Sequence, residues 1–171
     1  MIIFNIGTTT PEFGRIPTKI TKFKRFTSLS RNPYGGPRVA FRLDSIRKAN
    51  VYFSTLLGGG APFKRGEDTV WIQNLLKAGL KIYLSPCYIG DVSYATTTSF
   101  SADVKQRLYD YGAMMACAKT RLWPAYFVYS LLREKNDHIS KRESWKWMCE
   151  GRKGFALSRT YQQFSQGIGK V

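Results

Sequence analysis

Two adjacent acids, Glu67 and Asp68, stand between Gly66 and Thr69 where an apolar periodicity of helical type begins. Trp71, Ile72, Leu75 and Leu76 recur at i, i+4 spacing, which predicts an amphipathic helix over residues 67–78, stopped by Gly79. Carboxylates in the first turn of a helix are met by backbone donors and by the positive end of the helix dipole. A short acid held in that way stays ionised and well aimed, and it can take a proton from a hydroxyl as a new bond forms. Taken alone, the tetrapeptide reads first as a plain complement to the dipole.

The other chemistry-bearing residues are scattered. Asp91 falls in the segment 89–93 after a predicted strand and reads as a solvated loop acid. His138 follows Asn136 and Asp137 in a polar stretch and reads as a turn residue without a catalytic role. Cys87, Cys117 and Cys149 are odd in number and widely spaced, which fits neither a disulfide framework nor a zinc site and points to a reducing compartment.

The elements that must position these residues form an α/β pattern. Residues 1–6 predict a buried strand with almost no lead-in, so further chain upstream is expected. Residues 7–37, rich in Thr, Pro, Gly, Lys and Arg, predict a long surface loop. A short strand over residues 39–43 and a helical turn over 45–49 follow, then the flexible connection of Gly58, Gly59, Gly60, Pro62 and Gly66. Strands are predicted over residues 81–85 and 92–94. In the last third, Val104, Leu108, Tyr111 and Met115 share one helical stripe, a second helix spans residues 124–134, and a third starts at Ser140, which has capping-box spacing to Glu143.

Twenty-seven Lys and Arg against 11 Asp and Glu give a net charge of +16, which attracts phosphates on nucleotide sugars, anionic lipids or nucleic acid. Phe23, Phe26 and Tyr34 among basic residues would suit single-stranded nucleic acid, but no zinc pattern or aromatic Gly-rich strand signature accompanies them. That partner is therefore disfavoured. The longest apolar run, residues 122–132, is too short to span a bilayer, which takes about 20 residues. Together with Trp145, Trp147 and Met148 beside Lys141, Arg142 and Lys146, it predicts docking on an anionic membrane surface. The expected location is cytoplasmic and peripheral, on the inner face of the plasma membrane.

The order of these parts resembles a known family. Gly66–Glu67–Asp68–Thr69, its helix, the stretch Gly79, Leu80, Lys81, Ile82, Tyr83, Leu84, Ser85, Pro86, the strand near Arg38 to Arg42 and the Gly58 to Gly60 turn resemble the second half of inverting family-two glycosyltransferases of the GT-A fold. The resemblance implies the C-terminal half of a GT-A-like domain, a small mixed sheet with a central helix, over residues 1–100, and a helical C-terminal appendage over 101–171. It implies transfer of a sugar from a nucleotide-sugar donor to a surface-glycan or lipid-linked acceptor, with Asp68 as general base and Glu67 orienting the acceptor. Gly59, Gly60, Gly66 and Trp71 would line the acceptor site, and residues 94–100 would form a mobile acceptor-side segment. The family holds a divalent cation, Mn or Mg, on the donor phosphates with an Asp-x-Asp element that is absent from this sequence. That element is thus expected in the half preceding the strand at Met1, missing from this chain, with an inactive truncated remnant as the competing expectation. Asp91 stands where some relatives place a His after the strand, which would give it a metal role.

Overall fold

The structure is a computed structural model that describes residues 1–9, 19–28, 30, 35–93, 103–118, 125, 128 and 139–168. Among the described residues the chain is mixed α/β: β1 (Ile2–Thr8), β2 (Lys24–Phe26), β3 (Val39–Ala40), α1 (Leu43–Ala49), α2 (Glu67–Lys77), β4 (Ile82–Val92), α3 (Val104–Ala118) and α4 (Lys141–Ile168). The chain divides into two compact units, Met1–Phe53 with Asp68–Thr98, and Ser54–Glu67 with Ser99–Val171. Ser54–Glu67, expected in the first domain, is thus grouped with the C-terminal helices.

The first unit is built on a four-stranded sheet of order β2-β4-β1-β3. β1 and β4 are parallel, while β3 on β1 and β2 on β4 are antiparallel, so the sheet is mixed as expected. β4 is one continuous strand where the sequence predicts two shorter ones. The chain continues because the register on β1 slips between Ile3 and Asn5 and again between Asn5 and Gly7, which accommodates Pro86 and its missing amide. Asn5, 8% exposed, binds together the groups this irregularity leaves over. Its amide donates to the carbonyls of Ile20 and Pro86 at 2.8 and 2.9 Å, and its Oδ1 accepts the Ile20 N–H at 2.7 Å.

β2 lies inside the predicted surface loop of residues 7–37. Two cations precede its one inward residue, Phe26, which is fully buried, so no alternation was visible in so short a strand. Conversely, the strand predicted over residues 39–43 ends at Ala40, and Leu43 already opens α1. Ile3, Phe26, Ile82 and Leu84 from the sheet pack against Ile46 of α1 and Trp71, Ile72 and Leu75 of α2. Each such burial contributes on the order of 2 kcal/mol. α2 ends in a Schellman motif, with Leu80 N–H on the Leu75 carbonyl and Gly79 N–H on Leu76, and Gly79 takes the left-handed position at φ +83°.

In the second unit α3 and α4 pack along each other. A Cβ on Gly112 would overlap the Met148 backbone carbonyl, and one on Gly151 would overlap that of Tyr109. This backbone-to-backbone approach places Leu108, Met115 and Met148 in a common core. Leu108 and Met115 fall on the predicted stripe, but Asp110, Gly112 and Ala113 are buried as well, so α3 is covered on more than one face. Ser140 caps α4 as its spacing predicts, its Oγ accepting the Glu143 N–H at 3.1 Å, while the Glu143 carboxylate meets Lys105 of α3 at 3.4 Å. The predicted helix over residues 124–134 lies outside the described residues except for Ala125 and Val128, both helical and exposed. His138, Tyr34, the acceptor-side segment over residues 94–100 and most of the apolar run over 122–132 also lie outside them.

Candidate functional site

In the first unit the candidate chemistry centres on Asp68, the second residue of α2. Val70, Trp71, Ile72 and Leu75 bury the inner face of this helix and fix its rotation, which leaves Asp68 half-buried at its start. Its Oδ2 accepts the backbone N–H of Gly36 at 2.8 Å. Gly36 opens a single 3-10 turn, Gly36–Arg38, which is tied to the sheet by buried Arg38, whose Nε donates to the Phe4 carbonyl at 2.8 Å. A Cβ on Gly36 would stand 3.1 Å from Asp68 Oδ1, and one on Gly35 would stand 3.4 Å from Oδ2. The two glycines therefore serve close approach. Burial pushes the Asp68 carboxyl above the ordinary carboxylate range, and the Gly36 amide opposes that rise by favouring the charged form. The sequence placed Asp68 at the helix start but gave no sign of Gly36, which is 32 residues away.

Trp71, expected at the acceptor, is only 4% exposed and belongs to the core. Phe53 stacks on it at 4.5 Å and Phe41 meets it edge-on at 5.3 Å, both rings being about half exposed. The aromatic surface this unit offers to solvent beside Trp71 is therefore theirs.

In the second unit, Glu67 closes a segment in which Gly58 N–H donates to the Phe63 carbonyl at 2.8 Å and Phe63 N–H to Leu56 at 3.1 Å. Gly58 has φ +111°, and a Cβ there would stand 3.1 Å from the Glu67 carboxyl carbon. Gly59 and Gly60 are exposed, whereas Gly66, at φ +100°, lies against Met114 of α3. Phe63 stacks on Tyr109 at 5.7 Å and tilts against Phe155 at 5.8 Å. Successive helical residues diverge by about 100°. Glu67 and Asp68 accordingly have separate surroundings, Gly58 for one and Gly36 for the other.

One acid the sequence did not single out is Asp110. It is fully buried, accepts Gln106 Nε2 at 3.0 Å and the Lys64 backbone N–H, and so fastens the segment before Gly66 to α3. Burial pushes its carboxyl upward, and hydrogen bonds from Gln106 and Lys64 with the charges of Arg65 and Lys64 work against that. Its position among Tyr109, Tyr111 and Arg107 looks solvated in sequence, because only the packing of α3 shows that this side of the helix is covered.

Asp91 stands in β4, opposite Gly7 of β1, and is not the loop residue the sequence suggested. A Cβ on Gly7 would overlap its Oδ1, and the Tyr88 hydroxyl donates to it, which holds the Tyr88 proton more tightly than usual. Among the described residues no three His, Cys, Asp or Glu side chains are grouped so as to hold a metal ion. The described residues therefore do not fit the divalent cation that the resemblance implies.

No family model, curated protein or solved structure matches this chain. A carboxylate at a helix start, held by one backbone donor and biased upward by burial, is suited to accept a proton from a neutral hydroxyl.

Proposed function

We propose that this chain is the acceptor-side half of an inverting nucleotide-sugar glycosyltransferase of GT-A type, with Asp68 as the general base. The observation that carries the reading is the Asp68 carboxylate, fixed at 2.8 Å by the Gly36 amide at the start of the central helix. Support also comes from the parallel pairing of β1 and β4 with α2 packed on their sheet, the small mixed sheet and central helix that the resemblance implies.

The chemistry is a single displacement. The acceptor hydroxyl oxygen forms the new bond to the anomeric carbon while its proton passes to Asp68, and the nucleoside diphosphate departs with the electrons of the old bond. Raising the affinity of Asp68 for a proton strengthens it as a base, while the Gly36 amide keeps it aimed and ionised before the reaction. Phe41 and Phe53 offer half-exposed rings in the same unit against which the apolar face of a sugar can lie. The resemblance adds Glu67 and the Gly59–Gly60 turn on the acceptor side, and a cell-envelope glycan as the acceptor.

The test is release of nucleoside diphosphate from UDP-, GDP- and dTDP-sugars by the chain combined with a separately expressed donor-binding half. Asp68→Asn keeps the shape and a hydrogen-bond acceptor for Gly36 but cannot take the proton, so transfer is expected to fall about 10²–10⁴-fold at unchanged thermal stability. Transfer by Asp68→Asn within tenfold of wild type removes Asp68 from the role. Absence of release from every donor overturns the reading as a whole.

A further inference from the structure

The rotation of α4 is set by its inner face. Gly151 is pressed on the Tyr109 backbone, and Ser144, Met148 and Phe155 are buried along the same side. At about 100° per residue, the opposite side carries Arg142, Lys146, Lys153 and Leu157, and Trp145 lies on its flank, a quarter-turn from the inner face. All five are exposed, Trp145 by 43% and Leu157 by 72%, whereas Lys141 and Arg159, also exposed, lie nearer the inner face. The two acids of this stretch are already engaged, Glu143 with Lys105 at 3.4 Å and Glu150 with Lys153 at 3.0 Å. A groove of ≈ 510 Å³ opens here, lined by Arg142, Trp145 and Lys146 together with the two engaged acids, Glu143 and Glu150. Among the described residues no helix is long and apolar enough to cross a membrane.

From this arrangement we infer that the outward face of α4 docks on an anionic lipid surface, lying in the plane of the headgroups. Charge complementarity commits the face to this partner. Arg142 and Lys146 meet lipid phosphates, while Leu157 enters the acyl edge and Trp145, on the flank, sits at the headgroup boundary. Single-stranded nucleic acid would also answer the charge, but it needs a series of rings for successive bases, and the described part of this face shows Trp145 alone. The inference does not depend on the transfer chemistry of Asp68, which lies in the other unit.

Co-sedimentation of the full chain with vesicles decides it, comparing phosphatidylcholine alone with phosphatidylcholine containing phosphatidylglycerol. The expected result is preferential binding to the anionic vesicles that weakens with salt. Each Lys or Arg near an anionic leaflet changes the partition coefficient by about fivefold. Reversing two charges in Arg142→Glu/Lys146→Glu is therefore expected to lower it by at least about 25-fold. Leu157→Ser lowers it at constant charge. The control Lys22→Glu/Lys24→Glu removes the same net charge from exposed residues of the first unit and should change binding by less than twofold. Equal binding to both vesicle types, binding to neither, or an equal loss in the control overturns the inference. So does tight binding of random-sequence RNA that the α4 variant abolishes while anionic vesicles are left unbound.

Discussion

The amide of Gly36 donates to the carboxylate of Asp68 across 2.8 Å, between a turn and a helix start that are 32 residues apart in the chain. Two opposed effects meet on that carboxylate, burial favouring the protonated form and the amide favouring the ionised one, and burial prevails. Gly36→Pro suits the first position of a helical turn and removes the donor, and its ring further crowds and dries the carboxylate, whose Oδ1 would stand 3.1 Å from the new Cβ. The Asp68 titration, followed by carboxyl-carbon NMR, is expected to lie above the ordinary range in wild type and to move higher in Gly36→Pro. An unchanged or lower midpoint in the variant would show that the amide does not govern this carboxylate.

Asp110 should leave a mark on stability as a function of pH. Its native affinity for a proton is raised, so the folded chain holds that proton at pH values where the unfolded chain, titrating near about 3.9, has released it. The stabilisation is complete below the unfolded value and is lost as pH rises through the native one. Urea unfolding between about pH 4 and pH 7 should therefore show a decline in wild type that is flatter in Asp110→Asn. Equal slopes in the two proteins would count against a raised Asp110.

The glycines of the α3–α4 crossing make a graded set. At Gly151 a methyl group meets the backbone of Tyr109, which cannot yield without separating the helices, and overpacking of this kind costs about 1–3 kcal/mol. At Gly154 it meets the phenol end of the Tyr109 side chain, which can swing aside. Thermal or urea unfolding should rank Gly151→Ala well below Gly154→Ala. The reverse order would mean that the helices do not cross at Gly151.

Much of the local structure was legible in the sequence. The apolar spacing from Trp71 to Leu76 and the stop at Gly79 define α2, and Ser140 with Glu143 marks the start of α4, because helical periodicity and caps involve residues within a few positions of one another. Asp68 at a helix start was likewise readable from its immediate neighbours.

Tertiary structure decided the rest, wherever the partner is distant in sequence. Phe26 joins a sheet from within a basic loop-like stretch because β4 supplies its hydrogen bonds, and Asn5 reaches Ile20 and Pro86 through the irregular β1–β4 register. Asp91 looked like a loop acid until its strand was laid beside Gly7, and Trp71 became core once Phe53 and Phe41 covered it. Gly36 beneath Asp68, and Asp110 inside a charged-looking stretch of helix, depend on close approach between segments far apart in the chain. Sequence periodicity reports which residues share a face, but only packing determines what that face meets, how dry it becomes and therefore which carboxylates hold their protons.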